Sequence, residues 1–207
     1  LSDSGFHTNF SFMVRPFHNY KQVKDYLIKL NAIPSRVGQF LPLLREGLEK
    51  GVSQPSVIFN GYESSYNDHI VENFEESYFY QPFNNLPKTL TSTQKDSVLI
   101  AAKVAIITNV IPQFKLVKTF FEDEYFPKTR TSIGISETPN GNAYYQNRIN
   151  YYTTSTQYSA DDIHSIGLQE VARIKTEMEK FNGYLRLFTG ELEGDEQEAQ
   201  LEDKIEE

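Results

Sequence analysis

The stretch that decides the fold is Thr91 to Pro127, TSTQKDSVLIAAKVAIITNVIPQFKLVKTFFEDEYFP. Within it Leu99, Ala102, Ile106, Val110, Phe114, Val117 and Phe121 recur at intervals of three and four, which places them on one face of an α-helix. The spacing predicts a helix over Thr93 to Tyr125. Thr91, Ser92 and Thr93 offer N-caps, whose side-chain oxygens satisfy N–H groups that a first turn leaves free. Pro112 predicts a bend near the middle, and Pro127 ends the run. The most apolar window, Val98 to Ile111, is interrupted by Lys103 and Asn109 and is shorter than the ~20 residues that span a bilayer, so no transmembrane segment is expected.

Upstream, Val23, Tyr26, Leu27 and Leu30 repeat the helical period from Tyr20. Ile33-Pro34 is read as an interruption, with Pro34 opening a second helix that carries Val37, Phe40, Leu41, Leu44 and Leu48. Pro42 should kink that helix, and Gly51 should stop it. Ser53 to Thr93 has no sustained period. It reads as irregular chain pinned by aromatic rings, with one short helix around Asp68 to Glu75 and a minimal strand at Val57-Ile58-Phe59.

Downstream, Pro139-Asn140-Gly141 has turn chemistry and leads into a tyrosine-rich helix, Ala143 to Tyr152. A last helix starts at Ser159-Ala-Asp-Asp162, a variant of the capping box, and Ile163, Ile166, Leu168, Val171, Ile174 and Met178 are expected to form its buried face. The fold class is therefore all-α with aromatic-rich irregular loops. Residues 1–190 read as a single helical region and 191–207 as an acidic terminal segment.

Composition narrows the chemistry. The 207 residues include 15 Phe and 13 Tyr but no Trp or Cys, so the core is built on rings, and buried phenols need partners. Absence of cysteine removes disulfides, thiolate metal sites and cysteine nucleophiles together. The formal charge of −8 argues against nucleic acid as a partner. Residues 191–207 hold nine acids against Lys204, so that charge resides wholly in the last segment and the body is neutral.

The four histidines, His7, His18, His69 and His164, are too dispersed for a local zinc pair, and none begins an HExxH motif. Gly134-Ile-Ser136-Glu-Thr138 lacks the second glycine of a nucleophile elbow, and no phosphate-binding glycine loop occurs. No catalytic residue and no metal ligand is assigned. The distinctive run is PNGNAYYQNRINYYTT, Pro139 to Thr154. On a helix Tyr144, Arg148, Tyr151 and Tyr152 share one side. Phenols with a guanidinium can line a cleft and hold a peptide backbone or a carboxylate. Aromatic stripes at helical spacing are usually core, so from the residues alone packing on a neighbouring helix, with Arg148 in an ordinary ion pair, is the preferred reading.

The run Arg130 to Glu179, together with GFHTNFSFM, VKDYLIKLNAIP, LLREGLEKGVSQPSVIFNGYE and ESYFYQPFNNLPKTL, resembles a large bacterial family, domain of unknown function 885. The likeness spans Gly5 to Lys180 and falters beyond it, where family members run on through a longer insertion; residues missing between Lys180 and Phe181, or joined segments, are expected there. The resemblance implies a larger, mostly helical, gluzincin-like protein about three times as long. It implies a zinc-dependent peptidase-like hydrolase, with an HExxH helix in the C-terminal half, a periplasmic or cell-surface location and a peptide substrate. This chain would be the portion before that helix, lacking the metal ligands and inactive alone. Its partner would be the missing half of its own chain, and zinc would belong to that half. Substrate-lining candidates are Asn140, Gly141, Tyr144, Tyr145 and Arg148, with His7 added because it lies in the matched GFH stretch. A non-catalytic helical binding or assembly module, holding a partner through Ser53 to Thr93, is the alternative.

Overall fold

The structure, a computed structural model, describes residues 5–189. Contacts divide the chain into two compact units, Leu1–Gly141 and Asn142–Glu207. All regular elements among the described residues are helical, joined by one isolated parallel bridge between Pro55 and Arg130.

In the first unit, helix α1 runs unbroken over Tyr20–Glu49. The expected interruption at Pro34 is corrected: Pro34 and Pro42 both sit inside one helix. A proline costs a hydrogen bond, but here Leu30, Ile33, Val37, Leu41 and Leu44 form a buried seam on either side of each proline, and burial outweighs the local loss. Asn19 caps the start through Gln22 N–H, 3.0 Å away. Gly51 ends the helix as expected. Its φ of +71° is left-handed, and Val52 N–H reaches back to the Gly47 carbonyl at 2.8 Å.

Helix α2, Ser92–Lys128, is the predicted element. Thr91 and Gln94 close a full capping box at its start. Ala102, Ile106, Val110, Phe114, Val117 and Phe121 of the predicted stripe are buried, and Leu99 is partly buried. The helix widens into π-turns at Ile106–Val110 and Phe120–Tyr125, each ending two residues before a proline, Pro112 and Pro127. A wider turn relieves the clash between a proline ring and the carbonyl four residues back. By length and composition alone α2 is long and apolar enough to cross a membrane, a criterion that core helices also meet. Its apolar stripe, however, is core.

Two cross-links set the direction of the pair. Asn109 donates to Asn31 at 2.7 Å, and Arg45 grips Glu124 with two bonds of 2.6 and 2.7 Å. Contacts advance together along both helices, so α1 and α2 are parallel. Parallel helices need a long return, and residues 50–91 supply it. From the far end backwards, Tyr66 donates to Glu122, His69 and Phe79 pack on Phe114, and Lys103 lies over Phe74. The strand expected at Val57–Phe59 is instead a 3-10 turn, Ser56–Phe59. The short helix expected around Asp68 to Glu75 is replaced by a helical turn at Ser64–Asn67 and a 3-10 turn at Phe74–Glu76. The core is aromatic, and its deepest phenols have partners: Tyr26 donates to the Phe79 carbonyl at 3.0 Å, and Tyr125 accepts from Gln54 N–H at 3.2 Å.

The second unit holds α3, Gly141–Thr153, which begins at the unit boundary, and α4, Ala160–Thr189. Gln146 ties α3 to the connection by donating to the Tyr158 carbonyl at 2.7 Å. Ser159 and Asp162 cap α4 reciprocally, as the sequence indicates. The expected buried face of α4 is corrected: Ile166, Leu168, Val171, Ile174 and Met178 are exposed and Ile163 is half-buried. The acidic segment 191–207 lies outside the described residues.

Candidate functional site

The turn before α3 is shaped by two residues of the candidate set. Asn140 adopts a left-handed φ of 58°, a conformation that asparagine tolerates better than most residues. Gly141 is buried and donates its N–H to the Thr138 carbonyl at 2.9 Å. A Cβ there would lie 1.8 Å from the Ile135 carbonyl oxygen, so only glycine fits. These two residues form the turn into α3 and present no side chain of their own to a ligand beyond the Asn140 amide.

On α3 the Arg148 guanidinium lies between two rings, 5.7 Å from Tyr144 and 5.0 Å from Tyr151. It also donates to Asn147 Oδ1 at 3.0 Å, while its Nε is buried with no hydrogen-bond partner among the described residues. Tyr144 is 56% and Tyr145 45% exposed. Tyr151 and Tyr152 are exposed and meet edge to face at 5.2 Å. The tyrosine stripe is therefore a solvent-facing ladder, and the hydrophobic residue of α3 that is buried is Ile149. No carboxylate pairs with Arg148 among the described residues.

His7 occupies a different setting, inside the first unit. It is 1% exposed, its Nε2 lies 2.9 Å from Ser65 Oγ, and Tyr62, Phe114 and Phe121 surround the ring. Burial lowers its pKa from 6.5 to about 4, with nearby His69 adding to the effect, so the imidazole is neutral at neutral pH. Its Nδ1 and that of His69 have no hydrogen-bond partner among the described residues. His69 is half-buried, and burial lowers its pKa too.

Among the described residues no group of three or more His, Asp or Glu gathers to hold a metal ion. A zinc centre of three protein ligands does not fit these residues. The aromatic segment Ser53 to Thr93 turns most of its rings inward: Phe59, Tyr66, Phe79, Tyr80 and Phe83 are all buried. One organising residue escapes sequence reading. Arg130 donates to the carbonyls of Ser53, Ser132 and Gly134 at 2.9, 2.6 and 2.7 Å, fastening the loop ahead of α3 to the end of α1. Ser53 is 77 positions away, so no local pattern announces it.

The family described as bacterial protein of unknown function (DUF885) matches residues 3–200, beyond the Lys180 limit expected from the resemblance. No curated protein matches the chain. The fold is similar to that in "the crystal structure of the putative lipoprotein from Colwellia psychrerythraea", with a TM-score of 0.73 and 24% sequence identity over 86% of this chain. This chain spans 30% of that one.

Proposed function

Because the chain belongs to this DUF885 family of bacterial proteins, we propose that it forms a metal-free wall of the substrate cleft in a longer zinc-dependent peptidase-like hydrolase. The observation that carries the reading is the exposed ladder Tyr144–Arg148–Tyr151, with Tyr145 beside it. Exposed rings flank a half-buried guanidinium that no carboxylate engages among the described residues. They offer flat apolar area and charge-assisted donors to a peptide backbone or carboxylate. Asn140 and Gly141 form the turn that precedes the ladder, and His7 acts from within the core as support for the first unit. The metal and its chemistry belong to the remainder of the longer protein. That remainder covers the exposed apolar residues of α4, which are expensive to leave in water. The likeness to a protein described as a lipoprotein supports a periplasmic or cell-surface location.

The test is made in a longer polypeptide that contains this segment and an HExxH helix. Tyr145→Ala and Arg148→Ala should each lower kcat/KM on peptides by about tenfold or more, with Tm changed by ~2 °C or less. Normal turnover with a lowered Tm would make the ladder a packing element. Peptide binding without any cleavage, with zinc supplied, would favour the non-catalytic binding module.

A further inference from the structure

Three cavities described in the first unit meet along the segment Phe10 to His18 and the adjoining face of α1. The largest, about 460 Å³, and a second of about 310 Å³ share Met13 and Lys29 and so form one groove. Gln22 lies towards one end and Gln39 towards the other. At 1.5 Å per residue the groove runs about 25 Å along the helix, the length of seven or eight extended residues.

Its charge is one-sided. Arg15, Lys29 and Arg36 line it, and none has a carboxylate partner among the described residues. Arg36 rests on the Phe40 ring, 4.5 Å from its centroid. The acid in the groove, Asp25, is already engaged by Lys21 at 2.6 Å. Between the cations the lining is apolar, with Met13, Phe17 and Ile33.

We propose that this groove binds an extended acidic peptide. Lys29 and Arg36 are two turns apart, about 10 Å along α1. On a polyproline II strand, which repeats every three residues at about 3.1 Å each, carboxylates three residues apart share one face and lie about 9 Å apart. Apolar side chains between the acids settle on Met13, Phe17 and Ile33. At the ends Gln22 Nε2 and Gln39 Oε1 meet backbone amides, since Gln22 Oε1 already accepts from His18 N–H and Gln39 Nε2 donates to Ser35. A phosphate polymer gains nothing from such a floor, and its charges are spaced more closely than these cations. The groove uses none of the residues of the α3 ladder, so it stands or falls independently of the proposed function.

The probe is a fluorescein-labelled nonapeptide of three Glu-Leu-Pro repeats (the Glu–Leu peptide), followed by anisotropy with the intact chain. A Lys-Leu-Pro nonapeptide, long-chain polyphosphate and phosphatidylglycerol vesicles serve as comparisons. The Glu–Leu peptide should bind, weaken with added salt, and lose about tenfold or more in affinity in the variant Arg15→Ala/Lys29→Ala/Arg36→Ala. Lys29→Ala alone, at an exposed position, should lose several-fold and guards against misfolding of the triple variant. The proposal is overturned if the peptide fails to bind at low salt or if the variants bind it unchanged. It is equally overturned if polyphosphate or the vesicles compete for the same cations with higher affinity.

Discussion

His7 shows how far burial can redirect a residue. Its ring sits among aromatic side chains with one nitrogen on Ser65, and its pKa is lowered to about 4. A base whose folded pKa lies below its unfolded value of 6.5 binds fewer protons when folded. Stability is then fully present above pH 6.5 and is lost as the pH falls towards 4. Across that window the loss approaches about 3 kcal/mol, since each pKa unit corresponds to ~1.4 kcal/mol. His7→Gln keeps a hydrogen-bonding group near Ser65 and cannot titrate. Thermal melts between pH 7 and pH 4 should therefore show a shallower decline for the variant, with His69 leaving some slope in both. Parallel declines would mean that His7 is not held neutral by the fold.

At the scale of elements, Arg45 and Glu124 fix the register of α1 against α2. Their hydrogen bonds hold the Glu124 carboxyl below its usual range and raise the Arg45 guanidinium, which also lies 5.2 Å from the Phe120 ring. Both side chains are about 40% exposed, so water screens the pair. A double-mutant cycle with Arg45→Ala and Glu124→Ala should give a coupling of about 0.5–1 kcal/mol, whereas several kcal/mol would signal a far drier contact. Helix α2 was legible in the sequence because its stripe repeats locally and its cap lies within four residues. Helix α1 was misdivided because a proline is a local signal and the buried seam that overrides it is not. The return segment was illegible for a related reason. Its order comes from rings on α1 and α2, as when Tyr26 donates to the Phe79 carbonyl 53 positions away. In the candidate site, the one-sided placement of Tyr144, Arg148 and Tyr151 could be read from spacing. Their exposure, and the role of Arg130, could not.

For the whole molecule, two units of different character emerge. The first is closed around aromatic rings, whereas α4 of the second carries Val171, Ile174, Met178 and Phe181 in solvent. Ile174→Glu with Met178→Glu should accordingly change the stability of the isolated chain by about 0.5 kcal/mol or less, because no packing is lost. The same change should reduce binding of a hydrophobic dye such as ANS. A large destabilisation would mean that these residues are buried in solution, within the chain or against another copy.

The parallel course of α1 and α2 also reaches back to synthesis. An antiparallel hairpin meets its partner as soon as the second helix appears. Here Asn31 meets Asn109, 78 positions later. At roughly 5–20 residues per second, α1 leaves the ribosome several seconds before its mate exists, and for that time α2 covers none of its apolar seam. The nascent chain is then a natural client for a chaperone, and refolding in vitro should be slower than for an up-down bundle of the same size.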